Sequence, residues 1–250
     1  MGTVLFFERT VDKVFCRLLR RACRGIRQLD TTGSMVEKNS FSSAPILPPM
    51  AYSDFSLRKA KQDFGLTIQE RGTFLPAIEP IAPSAYLVET LQRNIPLAIA
   101  LGNEKARSEL LICPILLEVR EILERQVSLF SGSDFTVAPE LGLSGVCDFL
   151  ISCSPEQLFI EAPAIIVIEA KKEDLNPGMG QCLAEMVAAQ HFNAANGVPL
   201  PAIYGTVTTG TLWRFLKLSG QDVAIDLTDY SIPPVETLLG ILVTLVQGQS

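Results

Sequence analysis

The sequence predicts an α/β fold in which helices flank a mixed central sheet. Segments with helical spacing of apolar residues alternate with short runs typical of strands, and from residue 103 the predicted order is α-β-β-β-α-β-β-α. One run, AIIVIEA, is apolar at nearly every position, as expected of a strand covered on both faces. The 250 residues, 48% hydrophobic and 19% charged, are sufficient for one sizeable core.

The beginning of the chain differs from the rest in charge. Residues 1–35 carry seven bases and three acids, whereas the remaining 215 residues carry 14 bases and 24 acids. The stretch NSFSSAPILPP at 39–49 is typical of a linker. We therefore predict a poorly ordered basic extension and linker at residues 1–50 and a single domain at residues 51–250. The alternatives for the basic segment are a helix that docks on a membrane surface or nucleic acid, a transit peptide, or a true start at Met35.

Helical additions are predicted before the strands begin. Ser53 is expected to cap a short helix over DFSLRKAKQDF. After a proline-rich stretch, a second helix is expected to start at a Ser84 cap and extend to about Arg93. A longer helical pattern covers residues 103–126, with a kink expected at Pro114 because proline cannot donate the helical hydrogen bond.

The second half of the chain carries most of the strand signals. The predicted strands are FTVAPELGL at 135–143, GVCDFLIS at 145–152, AIIVIEA at 164–170, AIYGTVTT at 202–209, LWRFLKLS at 212–219 and an edge strand at 222–227. Helices are predicted at 178–195 and at 235–247. The expected core therefore alternates strands and helices around one sheet.

Composition excludes several classes of chemistry. The single histidine, His191, leaves no pair for a two-histidine metal site and disfavours a Ser-His-Asp triad. The six cysteines include no CxxC pair, so we expect free thiols in a reducing, cytoplasmic compartment. No apolar run reaches the ~20 residues of a membrane-spanning helix, and the first residues do not resemble a secretory signal. Any chemistry is expected to use carboxylates and lysine.

Such a group of side chains is found at two neighbouring predicted strands. Asp148 lies in GVCDFLIS, and Glu169 and Lys171 lie in IVIEAKK. Residues two apart in a strand point to the same face, so Glu169 and Lys171 project together, and Asp148 joins them if the strands form a hairpin. The two carboxylates and the Ala170 carbonyl would form an oxygen site suited to Mg²⁺. A lysine beside the metal can orient a water or stabilise charge on a phosphoryl oxygen, which indicates phosphodiester hydrolysis.

These residues resemble the motif of the PD-(D/E)XK nuclease superfamily. Within it, the chain most resembles the nuclease domain of type I restriction motor subunits. The resemblance lies in the pattern G-x-x-D-F-L at 145–150 followed by P-x-x-x-V-I-E-A-K-K at 163–172. The resemblance implies a restriction endonuclease-like core, α-β-β-β-α-β, over about residues 103–218, with N-terminal helical additions. It also implies a hydrolase that uses Mg²⁺ or Mn²⁺ to cleave nucleic acid, with DNA as the expected substrate and a homodimer as a possible assembly.

The resemblance extends to two assisting residues. Gln181 matches a glutamine at the start of the helix after E-x-K, although Glu185 stands where members of the Q-x-x-x-Y form carry tyrosine. Many members add a metal-binding glutamate from the first core helix, for which Glu109 is the best match and Glu118 the alternative. The implied catalytic set is Asp148, Glu169, Lys171, Glu109 and Gln181, and the implied metal ligands are Asp148, Glu169, Glu109 and the carbonyl of Ala170.

Two other hypotheses remain open. Because Lys and Arg supply much of the affinity for nucleic acid, 14 bases in 215 residues favour weak binding, binding through a partner, or an inactive member that serves as an interaction or regulatory module. An unrelated α/β domain with a charged strand end is the other hypothesis. It predicts that Asp148 and Glu169 do not converge in space.

Overall fold

The structure is a computed structural model, and it describes residues 50–248. The basic extension and linker predicted at residues 1–50, and the alternatives for the basic segment, lie outside the described residues except for position 50. Within the described range eight strands form one sheet: β1 (Thr67–Arg71), β2 (Ser128–Asp134), β3 (Val146–Ser152), β4 (Ala164–Ala170), β5 (Ile203–Thr208), β6 (Leu212–Ser219), β7 (Asp222–Asp226) and β8 (Tyr230–Ser231). Their order is β1-β7-β6-β5-β4-β3-β2, with β8 beside β6.

Helices cover both faces of this sheet. They are α1 (Leu57–Asp63), α2 (Ala85–Leu101), α3 (Glu104–Arg107), α4 (Cys113–Ile122), α5 (Gly178–Ala195) and α6 (Glu236–Gln247). Helices α1 and α5 share one apolar cluster with the sheet, and α2, α4 and α6 share another. The predicted α/β class, with a mixed sheet flanked by helices, is confirmed. None of the helices within residues 50–248 is long and apolar enough to span a membrane.

Sheet pairing explains the apolar run of β4. Strand β4 pairs antiparallel with β3 and parallel with β5, and all seven of its residues are buried. Val167 belongs to the cluster on the α5 face, whereas Ile166 and Ile168 belong to the cluster on the opposite face. Because side chains alternate along a strand, Glu169 follows Val167 onto the α5 face. The polar end of β4 is therefore directed toward α5.

The helices preceding the core differ from their predicted bounds. Ser56, whose Oγ accepts from Lys59 N at 3.2 Å, caps α1 in place of Ser53. Ser84 caps α2 as predicted, but α2 continues beyond Arg93 and through Pro96. It ends at Gly102, which adopts a left-handed conformation. Near Pro114, where a kink is predicted, the helix contains a π-helical segment, Ser108–Ile112, that ends two residues before the proline.

Two strand predictions are also corrected. The run FTVAPELGL is a loop with a short 3-10 turn at Pro139–Leu141, because proline removes a donor and Gly142 adopts a left-handed φ of 77°. The strand at this place in the order is β2, whose sequence SLFSGSD has low strand propensity. The segment at 222–226 is a strand but not an edge, because β1 pairs parallel with its outer side.

Candidate active site

The hairpin of β3 and β4 brings the predicted acids together. Phe149 pairs with Ile168 and Leu150 with Val167, so continuing this register places Asp148 opposite Glu169. Asp148 Oδ2 accepts a hydrogen bond, at 2.8 Å, from the backbone N–H of Ala170, the residue that follows Glu169. This convergence is the opposite of what an unrelated domain with a charged strand end predicts.

Glu169 is the centre of the polar group. Glu169 is 1% exposed, and the two oxygens of its carboxylate have different partners. Lys171 Nζ donates to Oε1, and Gln181 Nε2 donates to Oε2 at 2.8 Å. Three of the predicted site residues are therefore in direct contact. Both oxygens of the buried carboxylate are engaged, so a cation at Oε1 requires Lys171 to move.

The electrostatics of the site are dominated by burial and by like charges. Burial raises the pKa of Glu169 to about 8, and the charge of Asp148 raises it while Lys171 opposes the shift. For Lys171, burial lowers the pKa, but the hydrogen bond and charge of Glu169 outweigh it and leave the pKa raised. Lys171, the cation that contacts Glu169, therefore offsets only part of the cost of burying this carboxylate beside Asp148. A strongly shifted pKa of this kind is typical of functional sites.

A second buried acid, Glu185, lies one helical turn beyond Gln181 on α5. It is fully buried, and its Oε1 accepts from Gln181 Nε2 at 3.2 Å. Its Oε2 has no hydrogen-bond partner among residues 50–248. Burial, and then the charge of Glu169, raise the pKa of Glu185 well above its ordinary value. In the sequence, Glu185 stands out only as a departure from the tyrosine pattern, although its four-residue spacing from Gln181 is the signal that places both on one helix face.

The two acids predicted from the first core helix, Glu109 and Glu118, have partners of their own. Glu109 has a 60% exposed side chain in an ion pair with Lys105 at 2.9 Å. The alternative, Glu118, accepts from the backbone N–H of Ser84 at 2.6 Å and so supports the start of α2. Glu104, the first residue of α3, also raises the pKa of Glu169 through its charge, although less than burial and Asp148 do. Five residues along a helix turn a side chain to another face, which separates Glu109 from Glu104.

The donor set is compatible with a hard divalent cation. Asp148, Glu169 and the carbonyl of Ala170 supply oxygen ligands, and Mg²⁺ commonly uses one or two carboxylates with retained waters. The repulsion that raises the pKa of Glu169 would be relieved by a cation between the two acids. Across residues 50–248, however, no three His, Cys, Asp or Glu side chains are grouped so as to hold a metal. A metal here would thus depend on two carboxylates, a carbonyl and water.

Glycines at the start of α5 allow close packing around the site. A Cβ atom on Gly178 would lie 3.0 Å from the Lys171 side chain. On Gly180 it would lie 2.3 Å from the carbonyl oxygen of Phe55 and 2.5 Å from the amide nitrogen of Leu57. The first turn of α5 therefore lies between Lys171 and the beginning of α1, and a side chain at Gly180 would push these backbones apart.

Comparison with known proteins identifies no family. No protein-family model matches the chain, and no curated protein matches its sequence. The arrangement at the hairpin is therefore interpreted from its own chemistry. Buried Glu169 contacts Lys171 and the amide of Gln181, and half-buried Asp148 lies opposite it. Such a group can bind a cation and orient a water.

Proposed function

We propose that the protein is a metal-dependent nuclease that hydrolyses phosphodiester bonds, with DNA as its substrate. The observation that carries the proposal is the convergence of Asp148 with Glu169 and Lys171 at one end of the β3–β4 hairpin. The element order supports a restriction endonuclease-like core, because a helical segment, three strands, α5 and β5 follow one another as in that fold. Gln181 at the start of α5 supports it further.

Each residue has a distinct role in the proposed reaction. Asp148, Glu169 and the carbonyl of Ala170 would hold Mg²⁺ or Mn²⁺, which supplies an activated water and polarises the phosphoryl oxygen. Lys171, once released from Glu169, orients the attacking water or stabilises the charge that develops on the phosphate. Gln181 keeps the carboxylate of Glu169 in place through its hydrogen bond to Oε2.

The decisive experiment combines metal binding with cleavage. Calorimetry with Mg²⁺ and Mn²⁺ and cleavage of single- and double-stranded DNA and RNA are measured on the full chain and on Asp148→Asn, Glu169→Gln and Lys171→Met. We expect the two acid variants to lose metal binding and cleavage, and Lys171→Met to lose about 10²- to 10³-fold in rate while retaining the metal.

An exposed acid four residues away provides the matched control. Glu173 has a 73% exposed side chain paired with Lys172, so Glu173→Gln removes the same charge beside the site. It should leave binding and cleavage unchanged. A wild-type protein that binds neither ion and cleaves none of the four substrates would sink the nuclease proposal, and cleavage of RNA alone would correct the substrate.

A second candidate is an inactive member of the same fold that serves as an interaction module. The observation that favours it is the acidic balance of the sequence beyond residue 35, 14 bases against 24 acids, which disfavours tight binding of nucleic acid. The same titration separates the two candidates. The interaction module predicts no metal binding in the wild type, whereas the nuclease predicts metal binding that Glu169→Gln abolishes.

A further inference from the structure

Helix α1 carries a basic face beside a surface pocket. A surface pocket of about 480 Å³ is formed by one side of α1 and by β1, and its lining residues are Leu57, Arg58, Lys61, Gln62, Ile68 and Glu70. Arg58 and Lys61 are exposed and three residues apart, so they lie on the same face of the helix. Their two charges outnumber that of Glu70, which leaves the pocket positive.

These two cations differ from the other exposed ones. Within residues 50–248, the other exposed Lys and Arg side chains that the structure describes are held in ion pairs: Arg93–Glu89, Lys105–Glu109, Arg125–Glu121 and Lys172–Glu173. Arg58 and Lys61 have no acidic partner within 4.0 Å among the described residues. They are therefore the surface charges most available to an anionic ligand in a part of the chain that is otherwise acidic.

The packing of α5 connects the beginning of α1 to the site. Leu57, which lines the pocket, has its amide nitrogen 2.5 Å from the position of a Cβ on Gly180. The next residue, Gln181, donates to Glu169, and Gly178 two residues earlier lies against Lys171. The N-terminal end of α1 therefore packs against the turn of α5 that carries Gln181, and the pocket extends from there over β1, four strands away from β4 in the sheet.

We propose that Arg58 and Lys61 bind backbone phosphates of the nucleic acid whose scissile bond lies at Asp148 and Glu169. This inference rests on the proposed function, since it assigns the surface that the same substrate would occupy. A guanidinium and an ammonium group on one helix face match successive phosphates, and Gln62 adds an amide donor for sugar or phosphate oxygens. Contacts of this kind position the strand without reading its sequence.

The test compares the salt dependence of binding in two double variants that remove equal charge. Fluorescence anisotropy with labelled single- and double-stranded DNA and RNA oligonucleotides is measured in EDTA on the full chain, on Arg58→Ala/Lys61→Ala, and on Arg93→Ala/Arg125→Ala. Arg93 and Arg125 are exposed helix-side cations, so the second pair is the matched control. All other cations are identical in the two variants, including those of the basic N-terminal segment.

We expect Arg58→Ala/Lys61→Ala to bind about tenfold more weakly at ~50 mM salt and to reduce the slope of log Kd against log salt by about 2. The control should keep the wild-type slope. Equal slopes in the two double variants, or a wild type that binds none of the oligonucleotides, would overturn the inference whatever the cleavage assay shows. A selective loss of slope without cleavage in Mg²⁺ or Mn²⁺ supports the phosphate surface and counts against the nuclease.

Discussion

Two strands of the sheet each bury a carboxylate, and the two carboxylates have opposite surroundings. Asp226 at the end of β7 is 0% exposed, and its oxygens accept from Thr228 N at 2.8 Å and from Tyr230 Oη at 2.9 Å. Glu169 at the end of β4 is 1% exposed, but its neighbours include other acids. Asp226 is held by neutral donors of the turn that leads to β8, whereas Glu169 is repelled by part of its surroundings.

The comparison shows that burial alone does not identify a functional acid. A buried carboxylate that accepts two well-directed hydrogen bonds from neutral donors stabilises the fold locally. A buried carboxylate with uncompensated like charge lowers the stability of the metal-free protein, and it is retained where a ligand can offset the charge.

The largest expected effect is the pH dependence of stability in the absence of metal. The pKa of Glu169 is raised from 4.5 to about 8, so the native state binds more protons than the unfolded state between these values. The free energy of unfolding should therefore be highest below pH 4.5 on account of this group and fall as pH rises toward 8, by about 1 kcal/mol per pH unit. Urea denaturation in EDTA at a series of pH values measures it.

Two variants control this measurement. Glu169→Gln should reduce the slope, and Glu173→Gln, which removes an exposed charge nearby, should not. Added Mg²⁺ should raise the stability of the wild type at pH 8 more than that of Glu169→Gln, because the cation offsets the charge of that carboxylate. A wild-type curve that stays flat or rises between pH 5 and 8 would place the surroundings of Glu169 in the same class as those of Asp226.

A smaller effect is expected from the structural acid. Asp226→Ala leaves Thr228 N and Tyr230 Oη without their acceptor and should lower the free energy of unfolding by about 2 kcal/mol. Metal binding and cleavage per folded molecule should persist, because no site residue contacts it. Asp222→Ala, at the exposed opposite end of the same strand, is the matched control and should cost less than about 0.5 kcal/mol. Loss of cleavage at full stability would show that the two acids act together.

The sequence was informative where local periodicity and topology agree. The run AIIVIEA continues directly into a lysine two residues beyond the glutamate, so strand alternation alone places Glu169 and Lys171 on one face. The helix predicted at 178–195 matches α5, and the next strand begins within one residue of its predicted start. These elements are long or strongly apolar, which is why local patterns were sufficient for them.

The remainder depended on contacts that no local pattern encodes. Strand β1, TIQER, is polar and pairs with a strand more than 150 residues away, so only tertiary pairing makes it a strand. The choice between Glu104 and Glu109 depends on the rotation of the first core helix, which the π-helical segment alters. The orphaned oxygen of Glu185 requires three-dimensional packing to be recognised.

The smallest expected effect concerns Glu185, which lies between the two classes of buried acid. It accepts a hydrogen bond from a neutral donor, Gln181, as Asp226 does from its own neutral donors, but burial and the charge of Glu169 raise its pKa. Glutamine has the same shape and retains the carbonyl that Gln181 contacts. Glu185→Gln should therefore change the free energy of unfolding by less than about 1 kcal/mol at pH 7.

The partner variant makes this test discriminating. Glu185→Ala removes the acceptor of Gln181 and opens a cavity, so it should lower the free energy of unfolding by about 2 kcal/mol or more. Urea denaturation and metal titration on both variants separate the contribution of the side chain's shape, which glutamine keeps, from that of the carboxylate charge, which both variants remove. If Glu185→Gln is as destabilising as Glu185→Ala, or if it alone abolishes metal binding, the ionised carboxylate is required. Glu185 would then belong with Asp148 and Glu169 as a third acid of the site.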